Sequence, residues 1–343
     1  MANFDLDFIT QGLPKFIAHV ETRKPVDTFL SSLFGDAPMM GTEGVEGVAM
    51  EWRKYNPQVA EEAVRGADPN RINYGTSFNA DYLVPNYYHM TEAVGVSAAD
   101  HKVFGEPIEE NVNSHDRVLK VFADKVRAMQ DAVANAKEQM AADALFEAKV
   151  SNKSGNQVFP MSASVMALSG AGLLKKATFN KVIGAAFETA RKANAAFRPT
   201  ALIMNPADAT DLFIAIEDLI NKDTYNLGVT RFEYKGNGLT KYGTVNTPAG
   251  TLDIYAYLGV NNAGNYYVPQ GKALLCGSSV GAWAYGRVRA FENGVPGYSV
   301  QEERMRTYEK GEGDMAHYEV EYQTAPLPVI TKLDSFGVIT GIN

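Results

Sequence analysis

The sequence has 343 residues and a mass of 37.3 kDa, and its 45% hydrophobic and 21% charged content can fill a sizeable core and excludes disorder along the whole chain. The 32 basic and 40 acidic residues leave a formal charge of -8 and a pI near 5.3, which excludes a general grip on nucleic acid through released counterions. A lone cysteine, Cys276, excludes an internal disulfide and a thiolate metal site, and it suits a reducing compartment.

The opening stretch MANFDLDFITQGLPKF interrupts its apolar residues with acidic ones, unlike the basic start and continuous apolar core of a signal peptide. Elsewhere no apolar run approaches the ~20 residues that span a bilayer, so no membrane partner is expected. Up to residue 112 breakers recur, among them Pro14, Pro25, Gly35, Pro38, Gly66 and Pro85, so only short helices fit. Between them, Gly47 to Tyr55 and Ile72 to Val84 carry strand-forming residues on either side of a polar stretch, Pro57 to Arg71, with the turn-favouring Asp68-Pro69-Asn70. That pattern predicts a long β-hairpin. A projecting hairpin has little of its own chain to pack on, so Trp52, Tyr55, Phe78, Tyr82, Tyr87 and Tyr88 are candidates for contact with another surface.

The next element is a helix. Asn113 or Ser114 can cap it, Asp116 lies in the first turn, and no Gly or Pro interrupts the chain from there to about Ala148. Val118, Phe122, Val126, Met129, Val133, Ala136, Met140 and Ala144 fall at three-and-four spacing on one face, while Lys137, Glu138 and other charged residues are assigned to the remainder. At 1.5 Å per residue this helix reaches about 50 Å, roughly the diameter of a compact body of this length, so a flat or elongated molecule is predicted.

A second helix is predicted over Thr178 to Asn194, with Val182, Ile183, Ala186, Phe187 and Ala190 inward. Thr200 to Met204 reads as a short strand that turns into a helix through Asn205 as cap, Pro206 in the first helical position and Asp208 in the first turn, burying Leu212, Phe213, Ile216, Leu219 and Ile220. From Gly228 onward strands and turns dominate, with Gly250 to Tyr255 alternating and an apolar run from Tyr266 to Cys276. No tandem repeat or low-complexity linker divides this half, so the fold class is α+β.

The sharpest enzymatic lead is Gly277-Ser278-Ser279-Val280-Gly281, which matches the G-x-S-x-G pattern that holds a serine nucleophile between a strand and a helix. Here Ala282 to Val288 alternates like a strand, and the downstream His317 and Asp314 are only three residues apart, too close for a base and its orienting acid. Gly170-Ala171-Gly172 and Gly236-Asn237-Gly238 lack a third glycine and read as turns, and the histidines show no zinc spacing. The acidic run from Gln301 to Tyr322 matches no calcium loop and reads as a solvated face or a charge network between subunits. No catalytic, cofactor or metal residue is assigned.

Ordered along the chain are Arg23 to Phe34 (RKPVDTFLSSLF), Gly47 to Trp52 (GVAMEW), Val59 to Gly66 (VAEEAVRG), Phe78 to Pro85 (FNADYLVP), Tyr267 to Gly277 (YVPQGKALLCG) and Tyr322 to Val329 (YQTAPLPV). With the long helix between them, these segments resemble the major capsid proteins of tailed bacteriophages, in the family of the phage lambda major head protein. The resemblance implies the Hong Kong 97 phage capsid fold. Its parts would be an N-terminal arm (1–41), an extended loop (42–95), a peripheral domain (96–195) with the spine helix 114–148, an axial domain (about 196–290), and a return to the peripheral domain (291–343).

The implied function is a major head protein that assembles as pentamers and hexamers into an icosahedral shell around double-stranded DNA. It would be made in the host cytoplasm and reside in the virion. Its implied partners are copies of itself, a portal and packaged DNA held without sequence specificity, with room for a decoration protein. No acidic helical extension that could serve as a fused scaffold is recognised, so the scaffolding protein is expected to be separate. A cellular nanocompartment shell of the same fold, enclosing an enzyme cargo, is the alternative; a serine hydrolase acting through Ser279 ranks far below both.

Overall fold

The computed structural model describes residues 27–40, 48–54, 77–94, 114–152, 155–158, 166–193, 198–216, 232–247, 250–261, 263–277, 279–292, 295–310, 317–331 and 336–343. The chain begins with α1 (Phe29–Ser32), β1 (Asp36–Met40), β2 (Val48–Lys54), β3 (Ser77–Leu83) and β4 (Tyr88–Val94), then the long helix α2 (Ser114–Glu147). After it come β5 (Lys149–Asn152), β6 (Gly155–Val158), β7 (Met166–Ser169) and α3 (Lys176–Ala193). The middle of the chain supplies β8 (Ala201–Met204), α4 (Pro206–Ile216), β9 (Glu233–Gly236), β10 (Leu239–Thr247), β11 (Gly250–Tyr257) and β12 (Lys272–Cys276). The remainder is β13 (Gly281–Tyr285), β14 (Arg287–Glu292), β15 (Val295–Val300), β16 (Arg304–Lys310), β17 (His317–Thr324), β18 (Pro326–Ile330) and β19 (Phe336–Thr340).

A seven-stranded mixed sheet, ordered β7-β19-β12-β8-β11-β10-β9, forms the centre of one half. Leu202, Met204, Leu252, Ile254, Ala273 and Leu275 point from it to one face, where Phe179, Ile183 and Phe187 of α3 and Leu212 and Ile216 of α4 cover them. Ile203, Leu274, Cys276, Phe336 and Val338 point the other way, against Met140, Ala144 and Leu145 of α2. Burial on both faces explains why β8 and β12 read as continuous apolar runs. The strand-to-helix switch forms as predicted. Asn205 Oδ1 accepts the Ala207 N–H at 3.0 Å, and its amide donates to the Val268 carbonyl at 2.9 Å, so the cap is pinned on both sides. Leu219 and Ile220 lie outside the described residues.

Helix α2 links this sheet to a second one. Its Val126, Met129 and Val133 pack on Val320 and Tyr322 of β17, in the three-stranded sheet β16-β17-β4. Two turns further on, Ala141, Ala142, Ala144, Leu145 and Phe146 are all buried, so the end of the helix is covered over most of its circumference, leaving the side of Asp143 and Glu147 toward solvent. Ala148, with φ 51, ends it in the left-handed region and releases the chain into β5. The placement of Lys137 and Glu138 outside the packed side of the helix is also corrected: Glu138 is fully buried, and Lys137 lies under Trp283 and Tyr285. The run from Tyr266 also differs from expectation, because Gly271 at φ 77 makes a turn and the strand starts only at Lys272.

Candidate assembly surface

The predicted hairpin is present as β2 and β3, paired antiparallel from Val48 opposite Leu83 to Lys54 opposite Ser77. Among the described residues these two strands form a sheet by themselves. Trp52 lies opposite Asn79, Phe78 opposite Arg53 and Tyr82 opposite Ala49; Tyr55 lies outside the described residues. The chain then leaves the hairpin and enters β4, which pairs antiparallel with β17 from Tyr88 opposite Thr324 to Val94 opposite Tyr318. The hairpin's base is thus fixed to the subunit's own sheet. Tyr88 is half-buried there, with its hydroxyl 3.9 Å from Met140 Sδ. Tyr87 is 42% exposed and donates to Gln323 Oε1 at 2.9 Å.

Below Tyr87, buried Glu321 gathers His89 Nε2 at 2.6 Å, Gln323 Nε2 at 2.5 Å and the Arg306 guanidinium, joining β4, β17 and β16. Burial pushes the Glu321 carboxyl upward, but the hydrogen bond and charge of Arg306, with Gln323 and His89, hold it below the usual carboxylate range. Glu319 is also buried and accepts from Tyr308 at 2.6 Å; this bond, with burial, pushes the Tyr308 hydroxyl up to about 12. These two carboxylates of the acidic run are therefore paired inside the subunit rather than solvated, because each is met by a donor from a neighbouring strand.

The root of the N-terminal segment is held by a separate set of contacts. Glu138 accepts the Leu30 N–H with Oε1 and the Ser31 N–H with Oε2, each at 2.8 Å. Trp283 donates to the Ser31 carbonyl at 3.1 Å and tilts against Phe34, with ring centroids 5.5 Å apart. Just beyond, β1 lies parallel to β13. Sequence reasoning missed Glu138, since its position on the helix carries no local signal that a segment 107 residues earlier will cap itself there.

The G-x-S-x-G stretch is a connection between β12 and β13, with a strand after Ser279 where a nucleophile motif needs a helix. Both glycines have packing explanations: a Cβ on Gly277 would stand 2.6 Å from the Arg198 carbonyl oxygen, and one on Gly281 would stand 2.0 Å from that of Val329. The side chain of His317 and all of Asp314 lie outside the described residues. Gly236-Asn237-Gly238 is the tight turn from β9 to β10, all three residues having positive φ. Among the described residues no group of acidic, histidine or cysteine side chains could hold a metal ion, and no helix is long and apolar enough to cross a membrane.

The sequence profile of the family described as Phage major capsid protein E matches residues 16–336. No curated protein matches the sequence. Among solved structures, one assigned as a prophage capsid protein of Escherichia coli CFT073 is similar at TM-score 0.61 and 13% identity, covering 96% of this chain and 98% of that one. The capsid of the cyanophage P-SCSP1u is similar at TM-score 0.51 and 10% identity, over 93% of this chain and 89% of that one. A phage-related protein from Bordetella bronchiseptica RB50 gives TM-score 0.50 and 12% identity, over 96% of each chain.

Proposed function

Because the chain belongs to the phage major capsid protein E family and has the Hong Kong 97 phage capsid fold, we propose that it is the major head protein of a tailed bacteriophage. In this reading it assembles as pentamers and hexamers of an icosahedral shell that encloses double-stranded DNA. The family is one of structural capsid proteins, and a capsid protein resides in the virion. Synthesis in the host cytoplasm, a separate scaffolding protein, a portal and a decoration protein belong to the proposal.

The observation that carries the reading is the hairpin β2–β3, a two-stranded sheet with no further strand partner among the described residues. Two strands alone are marginal in water. Support from a neighbouring subunit resolves this, with Trp52, Tyr55, Phe78, Tyr82 and the exposed Tyr87 as the proposed contact residues. Many modest contacts of this kind add up across a closed, symmetric assembly. The proposed division keeps 1–41 as arm, 42–95 as extended loop, 96–195 and 291–343 as peripheral domain, and 196–290 as axial domain. The β4–β17 pairing ties the end of the second segment to the last.

Electron microscopy and light scattering of the purified full chain test the proposal. Closed shells, tubes or rings of five and six subunits are expected. A particle that stays at the 37.3 kDa monomer at every concentration overturns it. Enzyme cargo in shells purified from the native source, in place of DNA, would favour the nanocompartment alternative.

A further inference from the structure

The contacts around Glu138 contain one hydrogen too few for an ionised carboxylate. Tyr257 Oη is 2.5 Å from Glu138 Oε1 and 2.8 Å from the Asp27 carbonyl oxygen. The Leu30 and Ser31 amides each reach one carboxyl oxygen at 2.8 Å. These four contacts draw on only three protein hydrogens: two amide N–H groups and one phenol O–H. A phenol carries a single hydrogen and a carbonyl none, so one of the two contacts made by Tyr257 lacks a donor unless the carboxyl supplies it. We infer that Glu138 is a protonated carboxylic acid in the folded subunit, donating to the Tyr257 oxygen so that Tyr257 can donate to the Asp27 carbonyl, and that this neutral relay latches the root of the N-terminal segment to the long helix.

The surroundings fit an uncharged group. Glu138 is fully buried, and among the described residues it forms no ion pair. The groups facing it from each packed element are the Leu30 and Ser31 amides of α1, the Ser31 hydroxyl, which also donates to the Thr28 carbonyl at 2.9 Å, the Tyr257 phenol of β11, and the Tyr267 phenol, whose ring stacks on Tyr257 at 6.4 Å. The formal charge beside the relay is the Asp27 carboxylate, of like sign. On α2 itself, Lys137 turns to Tyr285 and Gln139 to Asp143, away from the relay. Burial pushes the Glu138 carboxyl up, against the opposite pull of Tyr257, the two amides and the Ser31 hydroxyl.

Tyr257 cannot move aside to relieve the count. A Cβ on Gly238 would lie 2.9 Å from its ring and one on Gly259 would lie 2.6 Å from its hydroxyl, so the phenol is gripped between two glycine backbones, with Phe29 tilted against it at 5.9 Å.

The sign of the pH dependence follows. Folding raises the proton affinity of Glu138, so the latch is complete below the ordinary glutamate value of about 4.3 and is lost as pH climbs through the higher folded value. The N-terminal segment is therefore released as pH rises, not as it falls.

Infrared spectroscopy of the full chain in the region of protonated carboxyls tests the inference, with Glu138→Gln and Tyr257→Phe beside the wild type. The wild type should show a buried-acid band at pH 7 that is missing from Glu138→Gln and displaced in Tyr257→Phe, where the acid loses its acceptor. Raising the pH should remove the band and speed hydrogen exchange at the Leu30 and Ser31 amides together, by about tenfold or more beyond the base-catalysed rise shown by amides remote from the relay. A wild type without the band at pH 7, or a band that Glu138→Gln leaves intact, overturns the assignment. Should Glu138→Gln not fold, identical wild-type and Tyr257→Phe spectra overturn it instead.

Discussion

Lys137 Nζ donates to the Tyr285 hydroxyl at 2.8 Å and stands 5.1 Å from the centroid of the Trp283 ring, so two aromatic residues of one strand enclose a lysine of the long helix. Burial pulls its ammonium below the usual lysine range, with the charges of Glu303 and Glu302 opposing. The unfolded chain therefore holds this proton more tightly than the native one, and stability rises with pH toward the unfolded value of about 10.4. Lys137→Met should cost no more than about 1 kcal/mol at pH 7, since apolar replacement of a buried charge is often close to neutral. Denaturant unfolding of both proteins between pH 7 and 10 should show the wild type gaining on the variant; a constant difference would contradict this account.

Cys276 lies in β12 at 3% exposure, and burial pushes its thiol up to about 12. Alkylation by iodoacetamide at pH 8 should be at least about a thousandfold slower than for a free cysteine, because so little thiolate forms. Denaturant should restore the ordinary rate. Rapid labelling of the native protein, or disulfide-linked species on a non-reducing gel, would show that the thiol is accessible.

Ser279 and Gly281 separate the chemical reading of their motif from the packing reading. Gly281→Ala should destabilise the fold by about 3 kcal/mol or more or prevent folding, because its Cβ would meet the Val329 carbonyl oxygen at 2.0 Å. Ser279→Ala should stay within about 1 kcal/mol of the wild type and leave assembly and any esterase turnover unchanged. A fluorophosphonate that labels Ser279 would reverse this conclusion.

Replacing Glu46 to Leu83 by a Gly/Ser linker removes β2 and β3 and spares β4, whose pairing with β17 belongs to the subunit. The product should be soluble, retain the helical signal of α2, and sediment as a monomer or small oligomer. If the hairpin buries about 800 Å² per partner, a usual size for a specific interface, its loss should abolish closed shells. Shells of normal size from this deletion would refute the hairpin as the main clamp, and an unfolded product would assign it to the subunit's own core.

The legible parts of this fold are those whose signals are local. Asn205, Pro206 and Asp208 announce a helix start within a few residues, and Val126, Met129 and Val133 repeat with the period of α2. The hairpin strands were readable from their composition, and β2 and β3 fall within the two segments rich in strand-forming residues. What could not be read is long-range pairing. Glu138 meets Leu30 across 108 positions, and β1 finds β13 across the chain. Periodicity places charged residues on the polar side of a helix, but it is silent on whether a third element covers that side. The proposed assembly surface rests on the same kind of local signal, a strand-rich segment whose aromatic residues lack enough nearby chain to cover them.

The position of β19 sets a schedule for the birth of the subunit. It lies between β7 and β12, parallel to one and antiparallel to the other, so the large sheet has a missing plank until residues 336–340 have been translated. Before then one edge of β12 is open and β7 has no strand to join, and such edges invite pairing with foreign chains. A growing chain still short of Phe336 on the ribosome has no finished body to offer a neighbour. Capsid building from this protein is thus deferred until that segment has been made, and a fragment stopped just before it should aggregate rather than enter a shell.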